Sequence, residues 1–297
     1  MHVGLLGCPM DLGQTRRGVD LGPSALRAAH LEKRLEALGH DVHDYGNVAS
    51  PEVETRRLRD EKLRYLDEIV RICEQLGKRV EKAAQLGQMP LVLGGDHSIV
   101  MGTLAGMVKA KGKQGVVYID AHGDFNTADT TPSGNIHGMG LAACVGLGHP
   151  RLVDIGGVKP KADPHNVALL GVRTIDPGEA ELIRKSGIYV ATMRDIDEKG
   201  MSKIMKEAIS RVTDGTRGVH LSFDVDVLDP SEAPGTGTPW PGGLTFREAH
   251  LAMEMLADER AITSFELVEI NPLLDVYNRT AELAVGLVES AVGKRIL

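Results

Sequence analysis

The sequence predicts an α/β protein: a single domain over residues 1–297, with a mostly parallel, roughly eight-stranded central sheet covered by helices on both faces. Three observations carry this reading. Short apolar runs alternate with longer amphipathic stretches along the chain, the pattern of strand–helix units. The short runs are almost continuously apolar, as strands buried on both faces must be. No repeat, low-complexity segment or linker interrupts the alternation.

The elements follow in order. HVGLLG, 2–7, opens as a strand, and a helix follows over 24–38, with Ser24 placed as N-cap and Gly39 at its end. A strand at 41–46 leads into a long helix at roughly 54–86. PLVLGG, 90–95, is a strand before a helix at 98–110, and GVVYID, 115–120, is the next. Strands at 167–172 and 188–192 flank a helix near 178–186. A helix at 200–212 precedes the strand GVHLSFD, 218–224. The Gly- and Pro-rich stretch 229–243 follows that strand directly and is expected to be a structured loop. Helices at 245–258 and 279–292 bracket the last strand, 263–270.

With 42% hydrophobic residues in 297 there is ample material for a core, but aromatics are only 3%, so Leu, Val, Ile, Ala and Met must build it. The net charge of −7 comes without a basic stripe, which argues against nucleic-acid binding. No apolar run approaches the ~20 residues that span a bilayer. Cys8, Cys73 and Cys144 are sparse and form no C-x-x-C pair, as expected of reduced, buried thiols. The expectation is a cytoplasmic protein with no membrane partner.

Three strand ends carry metal-ligand chemistry. PLVLGG runs into Asp96-His97, GVVYI into Asp120, His122 and Asp124 at every second residue, and LSF into Asp224 and Asp226. In a parallel sheet the functional edge is the carboxyl end of the strands, and a period of two sends alternate residues to one side. His97, Asp120, His122, Asp124, Asp224 and Asp226 then make two imidazoles and four carboxylates. Four carboxylates brought together repel unless cations intervene; two divalent ions would balance them and would activate a water. Oxygen-rich ligation with some imidazole and no Cys favours Mn²⁺ over Zn²⁺.

These residues lie in motifs that identify a family. GGDHS at 94–98, DAHGDFNT at 120–127, SGNIHG at 133–138, DVDVLDP at 224–230, GTGTPWPGGLT at 235–245, GQTRRGVDLGPSALR at 13–27 and ELVEINP at 266–272 resemble the arginases of the ureohydrolase family, over nearly the whole chain. The resemblance implies an arginase-like α/β fold, two Mn²⁺ per chain and a trimeric or hexameric homo-oligomer. It implies that His97, Asp120, Asp124 and Asp224 hold one ion and that Asp120, His122, Asp224 and Asp226 hold the other, with Asp120 and Asp224 bridging. The implied reaction is hydrolysis of L-arginine to L-ornithine and urea by a metal-bridging hydroxide.

The same resemblance gives roles outside the metals. His137 would shuttle the proton to the leaving amine. Glu269, at the end of the strand 263–270, would pair with the guanidinium, a geometry suited to bidentate contact. Glu266 lies an odd number of residues away, so an unbroken strand sends it to the other face. Asn126, Thr131, Ser133, Asn135 and Thr238 would contact substrate, the first three around its carboxylate. Asp176, with Glu179 in support, would face the α-amino group, although D-P-G also reads as a turn or helix cap. His220 reads as a satisfied core histidine, and Trp240 as packing or the site mouth. An agmatinase or another guanidino hydrolase would share the metals but not need the carboxylate contacts. A binuclear phosphoesterase would want Arg or Lys near the metals, and none occurs between Gly115 and Pro150. A non-catalytic metal-binding protein would need neither His137 nor Glu269.

Overall fold

The computed structural model describes residues 1–296. All eight expected strands are present: β1 His2–Cys8, β2 Asp41–Asn47, β3 Met89–Gly94, β4 Gly115–Ile119, β5 Val167–Val172, β6 Tyr189–Thr192, β7 Val219–Asp224 and β8 Ile262–Val268. They form one sheet in the order β2-β1-β3-β8-β7-β4-β5-β6, and every pairing is parallel. All three thiols are free and buried.

The apolar strands face two cores in alternation. Leu91, Leu93, Val117 and Ile119 join one cluster with the helices Met201–Thr213, Phe246–Asp258 and Arg279–Ala291. Val92, Val116 and Tyr118 join the other with Leu66–Gln85 and Val100–Lys111. The last two helices pack so closely that a Cβ on Gly102 would stand 2.4 Å from the Cys73 carbonyl oxygen.

Helix boundaries differ from expectation where local chemistry competes. Instead of one helix over 24–38, the chain forms Gly22–Ala28 and Leu31–Ala37, broken at His30 with φ 60°. Leu26 and Leu31 are five residues apart, which in a continuous helix would point them to different faces; the break buries both. Ser24 is not the cap, because the helix starts at Gly22 with Pro23 in its first turn. The helix expected over 54–86 begins only at Leu66. The charged run 56–62 offers no apolar face and is exposed; it folds over the 131–134 loop, with Lys62 Nζ donating to the Thr131 carbonyl at 2.9 Å and Arg64 N to the Gly134 carbonyl at 3.1 Å. A helix at Met193–Lys199, capped by Thr192 and Asp195, was not foreseen.

β3, β8, β7 and β4 are neighbours at the centre of the sheet. Their carboxyl ends therefore meet, which sets the location of the site.

Candidate metal centre and active site

The three ligand segments begin where the strands stop. His97 opens a 3-10 turn after β3, and Asp226 lies in another after β7. Residues 120–126 are past the end of β4, so strand alternation is not what aligns them. Hydrogen bonds do: His122 N donates to Asp120 Oδ1 at 2.7 Å, Ala121 N to Asp226 Oδ1 at 3.2 Å, and Asp226 N to Asp224 Oδ1 at 2.8 Å. Asp124 takes φ 47°, a left-handed turn that costs roughly 1–2 kcal/mol in a non-glycine residue. Phe125 is thereby fully buried in the core.

The six side chains converge. His97 Nδ1 lies 3.1 Å from Asp120 Oδ2, 3.2 Å from Asp224 Oδ2 and 3.3 Å from Asp124 Oδ2. His122 Nδ1 lies 3.0 Å from Asp226 Oδ2 and 3.4 Å from Asp120 Oδ1. Two groups suited to a cation result, His97–Asp120–Asp224 and Asp120–His122–Asp226. Asp120 belongs to both, whereas Asp224 falls in the first alone.

The electrostatics favour cations. Burial, and then the charge of Asp120, pushes the Asp124 carboxyl up to about 7. Burial and the charges of Asp226 and Asp120 push Asp224 up as well. Asp120 moves the other way: against burial, the adjacent imidazoles of His122 and His97 hold it below the usual carboxylate range. His97 Nδ1 and Asp120 Oδ2 are buried, face each other, and have no hydrogen-bond partner. Leaving such groups unsatisfied costs roughly 1–3 kcal/mol each. The donor set and these two orphaned atoms fit a bound metal.

A cavity of about 140 Å³ opens onto the ligands. It is smaller than the roughly 300–1,000 Å³ of drug-sized sites, so it suits one small substrate. Asp124, Asp224, Asp226 and His122 form part of its lining, and Asn126, Thr131, Ser133, Asn135, His137, Asp176, Glu179 and Thr238 complete much of the rest. Asn126 Nδ2 donates to Asp176 Oδ2 at 2.9 Å, joining the groups expected to read the carboxylate and the amino group on a substrate's α-carbon. Glu179 accepts from Phe125 N at 2.7 Å and Asp176 N at 3.1 Å, and so ties the metal loop to the 176 turn. Thr238 Oγ1 donates to Asp226 Oδ2 at 2.9 Å. Trp240 is 49% exposed and is absent from the cavity wall.

Glu269 is not at the end of an unbroken strand. β8 stops at Val268, and Glu269 takes φ 64°. That turn defeats the parity argument that sent Glu266 to the opposite face. Both carboxylates serve His97. Glu269 Oε1 accepts from His97 N at 2.9 Å and pairs with His137 Nδ1 at 3.1 Å, while Oε2 accepts from Gln14 Nε2 at 2.9 Å. Ser222 Oγ lies 2.7 Å from His97 Nε2 and donates to Glu266 Oε1 at 2.7 Å. His220 is buried in the core as expected, with Nδ1 on Ser264 Oγ at 2.9 Å, but it is only half satisfied, because its Nε2 has no hydrogen-bond partner.

This geometry corresponds to known proteins. The Arginase family model matches residues 1–293. The chain is 52% identical to the arginase of Bacillus caldovelox over 296 residues, covering 99% of each chain. The chain belongs to the arginase family. An arginase of Bacillus subtilis is 50% identical, again over 99% of each chain. The native structure of the Bacillus caldovelox arginase superposes with a TM-score of 0.96, over 99% of each chain. As a member of the arginase family the chain is a hydrolase, with a buried His/Asp cluster compatible with two metal ions.

Ser222, Glu266 and Gln14 are contacts that motif reading passed over. Ser222 had a signal: it is the one hydroxyl in an apolar strand, two residues before Asp224 and so on the same face. Because Ser222 donates to Glu266, it accepts from His97 Nε2–H, which leaves the Nδ1 lone pair for a metal. Ser222→Ala is therefore predicted to weaken divalent-cation binding about 10–100-fold, the usual cost of losing such an outer partner. A Mn²⁺ titration giving wild-type affinity would reject that role.

Proposed function

We propose that the chain hydrolyses L-arginine to L-ornithine and urea at a centre loaded with two Mn²⁺. The observation that carries the reading is that Asp224 of one metal group and His122 and Asp226 of the other line the same cavity as Asn126, Thr131, Ser133 and Asp176. His97, Asp120, Asp124 and Asp224 would hold one ion, and Asp120, His122, Asp224 and Asp226 the other. When bound, such a pair supplies Lewis acidity and a nucleophilic oxygen at neutral pH.

The chain's own residues do the rest. The wall residues Asn126, Thr131, Ser133 and Asn135 orient the α-carboxylate, and Asp176, backed by Glu179, attracts the α-amino group; Thr238 contributes beside Asp226. Glu269 supplies a fixed negative charge for the guanidinium and holds His137. With Nδ1 on Glu269, the Nε2 of His137 is left to exchange a proton. Burial alone would lower the affinity of His137 for that proton, but the hydrogen bond and charge of Glu269 raise its pKa to about 9. It therefore carries a proton at neutral pH and donates it as the carbon–nitrogen bond to the δ-amino group breaks. Water adds to the guanidinium carbon, and the products are urea and the protonated amine.

A binuclear phosphoesterase is disfavoured by the way Arg173, a cation close to Asp226 and Asp120, is engaged. Arg173 gives its side-chain hydrogen bonds to backbone carbonyls, which leaves it unsuited to grip phosphate. A single domain, a homo-oligomer (a trimer or hexamer) and a cytoplasmic setting complete the proposal; among the described residues no helix is long and apolar enough to cross a membrane.

The test is urea release by metal-stripped protein reloaded with Mn²⁺, given L-arginine and agmatine side by side. A strong preference for arginine is expected. Preference for agmatine would reject the carboxylate-reading loop, and silence with both would reject the substrate class.

A further inference from the structure

Arg173 follows β5, three residues before Asp176, and is half-buried. Its guanidinium donates to five main-chain carbonyls: Asp226 at 2.7 Å, Val227 at 2.9 Å, Leu228 at 3.3 Å, Trp240 at 2.6 Å and Pro241 at 3.2 Å. None of these partners is a carboxylate, although Asp226 and Asp229 lie close enough to influence it. Its main chain is pinned as well: Arg173 N and Thr174 N both donate to the Ala121 carbonyl, at 2.9 and 3.2 Å. Ala121 stands between Asp120 and His122, and its own N–H donates to Asp226 Oδ1. One residue thus binds the segment bearing Asp120 and His122 to the loop bearing Asp226 and Thr238.

The chemistry calls for this residue type. The carbonyls of 226–228 leave a short 3-10 turn, Val225–Val227, and such groups at a helix end lack intrahelical partners. Those of 240–241 belong to the loop between β7 and the helix Phe246–Asp258. A planar fork with five N–H donors can satisfy both sets at once, whereas an ammonium offers a point charge on a flexible stem.

We propose that Arg173 is a positioning residue for the second cation group. It holds the turn of Asp226 against His122 and Asp120, and so sets the affinity of the ion bound there, while leaving the His97–Asp124 ion largely untouched. The inference rests on the two-metal reading above and assigns its two sites different dependences on a residue that touches neither ion.

The experiment compares the wild-type chain with Arg173→Met and Arg173→Lys. Each is stripped and titrated with Mn²⁺ against a weak chelator, and the metal retained per chain is measured alongside thermal melting. Arg173→Met is expected to bind its first equivalent as the wild type does and its second at least tenfold more weakly, in line with the usual effect of outer partners on a metal site. Arg173→Lys is expected not to restore the second equivalent. Saturating Mn²⁺ should recover much of the lost kcat of both variants, with the activity loss concentrated at limiting metal. Wild-type affinity for both equivalents in Arg173→Met would overturn the proposal. So would equal weakening of both, which marks a general structural role, or full rescue by Lys, which marks a role for charge alone. If Arg173→Met does not fold, Arg173→Lys carries the same prediction. Metal retention needs no substrate, so a wild-type chain that binds two Mn²⁺ but releases no urea would reject the arginine reading and leave this inference to be judged on its own data.

Discussion

Asp120→Asn is expected to abolish turnover, by about 10³-fold or more, and to remove the stabilisation that Mn²⁺ confers. Asp120 belongs to both cation groups found among the described residues, and with Asp224 is proposed to bridge the two ions, so its loss strips a ligand from each ion at once. The substitution spares the metal-free fold. The amide oxygen can keep the 2.7 Å bond from His122 N, and the new NH₂ faces the partnerless His97 Nδ1 across 3.1 Å. Ligand binding raises stability by mass action, about 2.7 kcal/mol at a hundredfold excess over Kd. Wild-type melting should therefore rise with Mn²⁺ while that of Asp120→Asn stays nearly flat. A metal-dependent melting shift equal to the wild type's would show that Asp120 holds no ion.

Glu269→Gln is expected to cost about 10²–10³-fold in kcat with both metals retained. The carboxylate has three protein donors, the His97 amide, His137 and Gln14, and it lies fully buried. A glutamine turns one oxygen into a donor, which must confront Gln14, His137 or the His97 amide. Gln14 can answer by flipping, since its Oε1 has no partner; His137 cannot keep its proton as firmly without the charge beside it. A positioned acid contributes typically 10²–10⁴-fold, which sets the expected size. Metal analysis separates the outcomes: full activity would dismiss Glu269 from the mechanism, and loss of metal would make it a support of His97 instead.

Much of this could be read in the chain because two signals are local. Apolar runs such as PLVL and GVVYI mark strands buried on both faces wherever they occur, and the ligand types that follow them stand out against that background. What the sequence concealed was the route by which those ligands meet. Asp120, His122 and Asp124 converge through hydrogen bonds and a left-handed turn, not through the pleat of a strand. Glu269 reaches its position through another left-handed residue, so counting parity along β8 misplaced Glu266. The helix break at His30 was hidden because Ala, Leu, Glu and Lys are good helix formers on either side of it, and only the need to bury Leu26 and Leu31 together reveals it. Gln14 and Arg173 escaped functional assignment for a different reason. Their partners are far away in sequence or are main-chain carbonyls, which no side-chain motif displays.

The order of the strands has a consequence for how the molecule comes into being. β8 is the last of the eight strands in chain order, yet it sits between β3 and β7. Before it arrives, His97 belongs to a three-strand fragment built from the first third of the chain, and the aspartates belong to a four-strand fragment made afterwards. No neighbour pairing joins the two fragments except through β8. A ribosome-bound chain short of β8 would thus carry the ligands on two unconnected halves, and contacts this distant along the chain form slowly. Completion of the His97–Asp120–Asp224 group is consequently a late event, coincident with closure of the sheet, whereas Asp120, His122 and Asp226 already share one fragment before β8 is inserted.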